Sequence, residues 1–386
     1  MIKIPKDWEK ISLNILFSFH GGLGISREQL GDKGIPYLHY GDMHKGNFSS
    51  VSYDDYVNLP KYDIEIIGDE DFLLKDGDVV FLDASEDLAG TSRCVVVDNP
   101  DNKPFIAGLH TFIARPLNNS LSKSYKKYFT QTQDVQKQFE RLAVGFKVYG
   151  VNRNDIKKIA ISFPKDIKEQ KKIAKILTKC DEVIELQEQL IEKLEVQKMG
   201  LVKKLLTPQE NWQKTTINKV CKITTGKLDA NAMTPNGLYR FYTCANNYYL
   251  TDNYAYDTEA LLISGNGANV GYIHYYIGKF NAYQRTYILT DFSTNAMFLK
   301  YYLELNLAKR IKEEIHEGNT PYIVLDTIAK MKYYFPDNSK NQQYIVNVIS
   351  IKEKLIDLQK QKLTLLKRQR KSLMQLLLTG TIRVKT

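Results

Sequence analysis

The sequence has no apolar run long enough to cross a membrane. None of its 386 residues lies in a stretch approaching the roughly 18 consecutive apolar residues of a membrane span. The first eight residues, Met1–Trp8, also lack the apolar core of a secretory signal peptide. We therefore expect a cytoplasmic protein.

Cysteine is scarce, and its placement argues against a disulfide framework or a metal centre. The chain has four cysteines, none in a Cys-x-x-Cys pair and none beside a histidine. The six histidines also lack the spacing of metal ligands. We therefore predict reduced thiols and no metal site. The four cysteines are Cys94, Cys180, Cys221 and Cys244.

The motifs of common enzyme classes are missing as well. There is no Walker A loop, no Asn/Asp-Pro-Pro-Tyr/Phe signature of amino-methyltransferases and no His-Glu-x-x-His. Pro100-Asp101 is not followed by the Glu-x-Lys of a nuclease centre. The run Gly265–Gly271 is one residue too long for a dinucleotide fingerprint and precedes a strand-like segment instead of a helix. We predict a binding or assembly protein that is not an enzyme, with no cofactor in this chain.

What the sequence does contain is a second copy of its own pattern. At an offset of 172 residues, Phe163-Pro164 corresponds to Phe335-Pro336, and Leu205-Leu206-Thr207 corresponds to Leu377-Leu378-Thr379. The frame holds without a gap over some forty residues. A duplicated unit predicts two similar faces related by a pseudo-twofold axis.

Each copy contains a long amphipathic segment that we predict to be helical, over residues 166–207 and 338–380. A capping box, Asp166 with Glu169, marks the first start. Apolar residues repeat every three and four positions, which is the pattern of a coiled-coil seam. The predicted seam runs through Ile173, Leu177, Cys180, Ile184, Gln187, Ile191, Leu194, Lys198, Leu201 and Leu205, and then through Ile345, Ile349, Lys352, Ile356, Gln359, Leu363, Leu366, Arg370, Leu373 and Leu377.

Polar residues interrupt the two seams at matched places, Gln187 with Gln359 and Lys198 with Arg370. Polar seam residues cost stability and specify register. We predict that the two helices pair as an antiparallel coiled coil within one chain. At about 1.5 Å per residue, each helix would be roughly 60 Å long.

The segments that precede the helices also resemble each other. Trp8 corresponds to Trp212 and Gly22 to Gly226, and the stretch 105–113 lines up with 280–288. Both segments are rich in aromatic, β-branched and glycine residues in short alternating runs, which predicts irregular sheets. We therefore predict an α+β fold with two pseudo-symmetric mixed α/β domains, residues 1–165 and 208–337, separated and joined by the helices and followed by a tail, 381–386.

The net charge of +10 is concentrated near the carboxyl terminus. Residues 340–378 carry nine lysines and arginines against two acidic residues. A basic balance of this kind favours an anionic partner such as nucleic acid, although a charged helix face is often only solvated.

Polar and basic residues in loops rich in glycine and aromatics are the candidates for DNA contacts. Arginine commonly pairs with guanine and Asn or Gln with adenine, while lysine mostly contacts phosphate. The framework repeats while these loop residues differ, as two recognition specificities would require. The candidates are His39, His44, Lys45, Arg93, His110, Lys123, Lys126 and Lys127 in the first half, and Lys227, Asn246, Asn247, Asn266, Asn269, Lys279, Tyr283, Gln284 and Arg285 in the second.

Taken together, this pattern resembles the DNA-specificity subunit of type I restriction–modification systems. The marks are the segment from Phe163-Pro164 through Glu169-Gln170 to Leu205-Leu206-Thr207, and its copy from Phe335-Pro336 to Thr379-Gly380. Ile35–Met43 and Phe280–Leu289 support the resemblance, which covers essentially the whole chain. Thr207-Pro208 departs from Thr379-Gly380 in the second copy.

The resemblance implies that each domain is a target-recognition domain for one half of a split, asymmetric DNA site. The helices would set the spacing between the halves. Two methyltransferase subunits using S-adenosylmethionine would dock on the chain, and restriction subunits using ATP and Mg would join them. The alternative is a non-enzymatic coiled-coil interaction or scaffold protein that does not bind DNA.

Overall fold

The structure is a computed structural model that describes residues 4–45, 50–52, 59–65, 70–85, 87–146, 148–314 and 321–384. Contacts divide the chain into two units. The first unit comprises residues 1–187 and 362–386, and the second comprises residues 188–361. The first unit therefore holds one sheet domain, the beginning of the first long helix and the end of the second. The second unit holds the other sheet domain, the end of the first long helix and the beginning of the second.

The first sheet domain contains twelve described strands and five short helices. Its strands are β1 (Trp8–Ser12), β2 (Phe17–Gly21), β3 (Ile35–Leu38), β4 (Ser50–Ser52), β5 (Lys61–Tyr62), β6 (Val79–Leu82), β7 (Ala84–Ser85), β8 (Cys94–Asp98), β9 (Ile106–Ala107), β10 (Thr111–Pro116), β11 (Tyr149–Gly150) and β12 (Ala160–Pro164). Its helices are α1 (Leu13–Leu16), α2 (Tyr40–Lys45), α3 (Lys123–Lys126), α4 (Gln133–Leu142) and α5 (Arg153–Ile156).

The central sheet of this domain has the order β2-β10-β6-β8-β4, and a smaller sheet has the order β5-β3-β9. All four residues of β6 are buried, because the strand lies in the middle of the sheet with both faces covered. Val79 and Phe81 pack into one apolar cluster, and Val80 and Leu82 into another. This alternation positions the end of β6, where the candidate site begins.

The second sheet domain is built on a six-stranded sheet with the order β14-β19-β17-β18-β15-β16. Its strands are β13 (Trp212–Thr216), β14 (Lys222–Thr225), β15 (Tyr239–Tyr242), β16 (Tyr249–Thr251), β17 (Tyr256–Ser264), β18 (Ile273–Ala282), β19 (Thr286–Thr290) and β20 (Lys332–Pro336). The helices of the second half are α7 (Ala296–Glu314) and α8 (Leu325–Ala329).

Two helices of 40 residues each, α6 (Ile167–Leu206) and α9 (Ser339–Leu378), correspond to the two predicted long helices. Every predicted seam position is buried or partly buried, which confirms the heptad pattern. Within the first unit the start of α6 faces the end of α9, and Asp181 binds Arg370. Within the second unit the end of α6 faces the first part of α9, and Lys198 binds Glu353. The helices are therefore antiparallel in both units.

A two-stranded sheet joins each domain to its helix in the same way. β1 pairs antiparallel with β12, with Trp8 opposite Pro164. β13 pairs with β20 in the same register, with Trp212 opposite Pro336. A long helix begins three residues after each proline, so the sheet fixes where that helix begins.

A buried glutamine secures each of these junctions. Gln170 donates to the carbonyl of Pro164 at 2.8 Å and accepts from the backbone N–H of Ser122 at 2.7 Å. Gln342, at the matched position, donates to Pro336 at 2.9 Å and accepts from the N–H of Asn295 at 2.9 Å. Both side chains are almost fully buried, so these bonds satisfy backbone groups that water does not reach.

The predicted capping box is only half present. Asp166 accepts from the N–H of Lys168 at 2.8 Å and caps α6. Glu169 instead binds Arg383, whose Nε lies 2.7 Å from its Oε1. Arg383 also binds Asp7, which holds the carboxyl-terminal tail against the first residues of the domain. Arg383 is more than 200 residues from both Glu169 and Asp7 in the sequence, so a local sequence pattern does not predict these contacts.

No helix among the described residues is long and apolar enough to cross a membrane. Within the same ranges, no cluster of three or more His, Cys, Asp and Glu side chains is placed to hold a metal ion.

Candidate nucleic-acid interface

The ends of two paired strands carry equivalent turns in the two domains. β6 and β10 pair with Leu82 opposite Thr111, and β17 and β19 pair with Ser264 opposite Thr286. Just beyond these pairs, the N–H of Asp83 donates to the carbonyl of His110 at 3.2 Å, and the N–H of Gly265 donates to that of Arg285 at 2.9 Å. His110 and Arg285 therefore occupy equivalent turns.

In the first domain, three segments meet around His110. Its Nδ1 lies 3.1 Å from Oδ1 of Asp83, and its ring packs edge-on against Tyr40 of α2 with 5.2 Å between centroids. Burial raises the pKa of Asp83, and the charge of and hydrogen bond from His110 oppose that rise. Arg93 reaches the carbonyl of Met43 at 3.4 Å. The structure thus brings His110 and Arg93 together with α2.

His39, another predicted DNA contact, is an internal residue. Its side chain is buried, and its Nδ1 accepts from the N–H of Gly41 at 3.0 Å. Burial lowers its pKa, so the neutral ring is favoured. In the second domain Thr243 makes the equivalent bond, from the N–H of Ala245 at 3.3 Å. His39 therefore shapes a turn of the framework, and we do not include it among the exposed contacts.

Lys123 and Lys126 lie away from this cluster, near the residues that precede β6, and Lys127 follows them at the end of α3. Lys123 binds both Asp76 and Asp98, and these hydrogen bonds raise its pKa against the opposing effect of burial. Lys126 is buried and donates to the carbonyl of Gly77. Burial lowers the pKa of Lys126 to about 8. Lys123 and Lys126 thus stabilise the residues that precede β6, while His110 lies beyond its other end.

The side chains of His44 and Lys45 lie outside the described residues, although their backbone forms the end of α2.

In the second domain the structure brings most of the predicted residues together. The side-chain amide of Asn269 donates to the carbonyl of Cys244 at 3.2 Å, and the Cys244 thiol lies 3.5 Å from the carbonyl of Arg285. The side-chain amide of Gln284 donates to the carboxylate of Asp229 at 3.0 Å, and Leu228 forms an isolated β-bridge with Tyr283. The loops that meet here carry Lys227, Asn246, Asn247, Asn266, Asn269, Tyr283, Gln284 and Arg285.

Five of these side chains are exposed: Lys227, Asn246, Asn247, Gln284 and Arg285. The glycine at the centre of the cluster has a packing reason. A Cβ on Gly265 would lie 2.2 Å from the carbonyl oxygen of Arg285, so only glycine permits this close approach. The loop joins two strands, β17 and β18, in agreement with the expectation that no helix follows it.

Lys279 is separate from the loops. It lies within β18 opposite Asp257, with its ammonium 4.6 Å from the ring centroid of Tyr254.

The polar residues of the helical seam have specific partners within each unit. Arg370 donates from Nε to Asp181 at 2.8 Å, and Tyr128 of the first domain donates to the same carboxylate at 2.9 Å. Glu353 and Tyr301 form the matched pair in the second unit, where the hydroxyl donates at 2.7 Å. Gln187 is buried and Gln359 is partly buried. Each triad ties a sheet domain to both helices of its unit.

Sequence reasoning missed Arg240, which lies on β15 among tyrosines. Its guanidinium carbon is 4.3 Å from the ring centroid of Tyr248 and 4.5 Å from that of Tyr276. The alternation Tyr239-Arg240-Phe241-Tyr242 placed Arg240 and Tyr242 on one face of a strand. That signal was available, but it did not show which rings would contact the arginine.

Comparison with known proteins agrees with this architecture. The sequence profile of the family described as "Type I restriction modification DNA specificity domain" matches residues 5–196 and 209–368. The type I restriction enzyme EcoDI specificity subunit of Escherichia coli is 38% identical over 130 residues, which cover 34% of this chain and 29% of that protein. The MjaVIII specificity subunit of Methanocaldococcus jannaschii is 24% identical over 211 residues, which cover 53% and 47%. The chain thus aligns with less than half the length of these relatives.

Solved structures share the fold over nearly the whole chain. The S subunit of a type I restriction–modification system from M. genitalium superposes with a TM-score of 0.60 at 20% identity, over 97% of this chain and 96% of that one. A chain from a structure on complex assembly and conformational transition of the type I R-M system gives 0.63 at 14% identity, over 98% and 100%. Two profile matches spanning most of the sequence, on a duplicated domain-and-helix fold, show that the chain belongs to the family of type I restriction–modification DNA specificity subunits.

Proposed function

We propose that this chain is the non-catalytic subunit that selects the DNA target of a type I restriction–modification complex. Each sheet domain reads one half of a bipartite, asymmetric site. One observation carries the proposal: His110 and Arg285 stand at equivalent turns of a repeated framework, yet the residues around them differ. Equivalent placement with different side chains suits two half-sites of different sequence.

The helices set the distance between the half-sites. One DNA turn is about 34 Å, which a continuous helix of 40 residues exceeds at about 1.5 Å per residue. The hydrogen bonds of Tyr128 with Asp181 and of Tyr301 with Glu353 support this role, because they hold each domain at one position along its helix pair. Removing one heptad at matched points of both helices should change the preferred spacer.

Methyltransferase subunits dock on the outer faces of the helices. Val183 and Leu186 are 47% and 64% exposed in the first unit, and the matched Leu355 and Leu358 are 39% and 51% exposed in the second. Exposed apolar side chains in a row favour contact with another protein. The matched positions suit two copies of one partner. S-adenosylmethionine, ATP and Mg would then be held by the methyltransferase and restriction subunits, and the target adenines would be flipped into the partners.

The test is methylome sequencing of a host that expresses the chain with its cognate methyltransferase subunit. The control host expresses the methyltransferase alone. We expect a new split motif with adenine methylated on opposite strands of its two halves. If the methyltransferase is present and active and no motif appears, the proposal is wrong and a scaffold role without DNA binding is favoured.

Domain exchange tests the modular assignment. Replacing residues 8–160 with the equivalent domain of a relative should change one half of the motif and leave the other intact. A change in both halves would contradict separate reading by the two domains.

A further inference from the structure

Arg240 packs against two aromatic rings. Its guanidinium carbon lies 4.3 Å from the ring centroid of Tyr248 and 4.5 Å from that of Tyr276. Guanidinium groups stack on aromatic faces, and two such contacts restrict the plane of the group much more than one does. The edge of that plane, which carries the N–H donors, is the part that remains for a partner.

Those donors have little to bind within the protein. Nη1 lies 3.4 Å from the hydroxyl of Tyr242, close to the limit of a hydrogen bond. Among the described residues, Arg240 forms no ion pair, and its side chain contacts the tyrosines Tyr242, Tyr248 and Tyr276. Other partly buried arginines differ: Arg115 binds Asp78, and Arg370 binds Asp181. Arg240 is therefore a pre-oriented cation without an internal counterion in this part of the chain.

Arg240 lies beside the loops of the candidate interface. The carbonyl of Tyr242, two residues along β15, accepts from the N–H of Tyr283 at 2.9 Å. His274 lies 2.9 Å from the carbonyl of Ala245 and holds the loop that carries Asn246, Asn247 and Tyr248. Tyr248 itself is 47% exposed. The arginine and the exposed asparagines consequently belong to one surface of the second domain.

The matched position of the first domain carries a different residue. β15 pairs parallel with β18, with Tyr242 opposite Ala282. β3 pairs parallel with β9, with Leu38 opposite Ala107. Counting back two residues from Leu38, Pro36 takes the place of Arg240. Proline has no side-chain donor, so this feature distinguishes the second domain from the first.

We propose that Arg240 reads a guanine in the second half of the DNA target, donating two N–H groups to O6 and N7 of that base. This assignment rests on the proposed function. Arginine with a fixed plane suits the bidentate edge of guanine, whereas a contact with phosphate needs only charge and is commonly made by flexible lysines. The tyrosines fix the orientation before DNA arrives, which lowers the entropy lost on binding.

The test is the methylated motif of variants expressed with the cognate methyltransferase subunit. Arg240→Lys retains the charge and loses the planar fork, and Arg240→Ala loses both. We expect each to relax one G·C position in the second half of the motif, with discrimination falling roughly tenfold or more, while the first half stays unchanged. Lys222→Ala, which removes one exposed positive charge from strand β14 of the same sheet, should leave the motif unaltered.

A second pair of variants tests the aromatic clamp without touching the arginine. Tyr248→Phe retains the ring and should keep the motif, whereas Tyr248→Leu should relax the same position as Arg240→Lys. A motif that is unchanged in Arg240→Ala would overturn base reading and indicate that Arg240 does not contact the DNA. Weaker methylation at every site with no relaxed position would also overturn base reading and indicate a phosphate contact. A second half-site that contains no G·C pair would likewise overturn the proposal that Arg240 reads a guanine. Absence of any motif with the unaltered chain would instead refute the proposed function.

Discussion

In the first domain a buried lysine, Lys126, follows the first turn of α3, whereas in the second domain a buried leucine, Leu299, takes its place in α7. The neighbouring positions show the same contrast. Tyr125 corresponds to Phe298, and both are fully buried. The preceding residues, Ser122 and Asn295, both offer their N–H to the matched glutamines. One framework therefore tolerates polar residues in one copy and apolar residues in the other, provided that the backbone bonds are kept.

The comparison teaches which parts of the duplicated unit carry the architecture. The Trp-to-Pro strand register, the buried glutamine and the tyrosine–carboxylate contact recur in both units. One backbone hydrogen bond recurs at the turns that bear His110 and Arg285, but the side chains there differ. Constraint thus falls on junctions between domain and helix, and variation falls on the exposed loops.

The matched glutamines give the largest expected effect. Replacing Gln170 by Ala leaves the N–H of Ser122 and the carbonyl of Pro164 without their partner, and buried unpaired groups cost about 1–3 kcal/mol each. We expect a loss of about 3 kcal/mol in local stability at the start of α6. Gln342→Ala should cause the same loss at the start of α9. Hydrogen exchange of the two helix starts measures both.

The control is Gln213→Ala, because Gln213 is exposed on β13 and its loss should change stability by less than about 0.5 kcal/mol. A large loss for one glutamine with none for the other would break the equivalence of the two junctions.

The exposed turns should separate the domains by DNA half-site. Arg285→Ala should weaken recognition of the second half-site by about 2 kcal/mol, near thirty-fold, and His110→Ala should act on the first half-site. Binding of the methyltransferase complex to DNA with either half-site scrambled provides the measurement. Equal losses at both half-sites would rule out local reading by these residues.

Lys126 should give the first unit a pH dependence that the second unit lacks. Burial lowers its pKa from 10.5 to about 8, with partial compensation by Asp78 and Asp76. Between pH 8 and 10.5 the unfolded chain therefore binds the proton that the folded chain has released, so this group's contribution to stability rises with pH. Lys126→Leu, which copies Leu299, removes that contribution.

Relative to the variant, the wild type should gain on the order of 1–2 kcal/mol between pH 7 and pH 9.5. Urea unfolding monitored in the first unit gives the difference. Lys127→Leu, at the neighbouring partly exposed position, should run parallel to the wild type. Parallel curves for wild type and Lys126→Leu would mean that the buried lysine keeps its ordinary pKa.

Tyr125→Phe is expected to have the smallest effect, and a favourable one. The buried hydroxyl of Tyr125 has no hydrogen-bond partner among the described residues, and its removal copies Phe298. We expect the thermal stability of the first unit to rise by about 1 kcal/mol. The reverse change, Phe298→Tyr, should destabilise the second unit. A loss of stability in Tyr125→Phe would show that the hydroxyl is satisfied in solution.

The helices and the duplication were predictable because their signal is local. The structure starts α6 at Ile167 and α9 at Ser339, one residue after the predicted starts, and Pro164 and Pro336 stand just before them. The structure also brings the candidate loops of the second domain together, and their contact with DNA stays a prediction. His39 and Lys126 were misplaced, because burial of a polar side chain depends on distant strands and not on its neighbours in sequence.

Sequence by itself determined the repeat and the seam, since a heptad period and a fixed offset of 172 residues are written in residue order. The antiparallel direction was a prediction that the ion pairs within each unit confirm. Tertiary structure alone decided which polar side chains are internal and which remain open to a partner. Glu169 meets Arg383 and Arg240 meets Tyr276 only after strands and termini come together. Such contacts join residues that are far apart in the sequence. The free energy of burying a charge or stacking a ring depends on these distant partners, which a local sequence pattern does not identify.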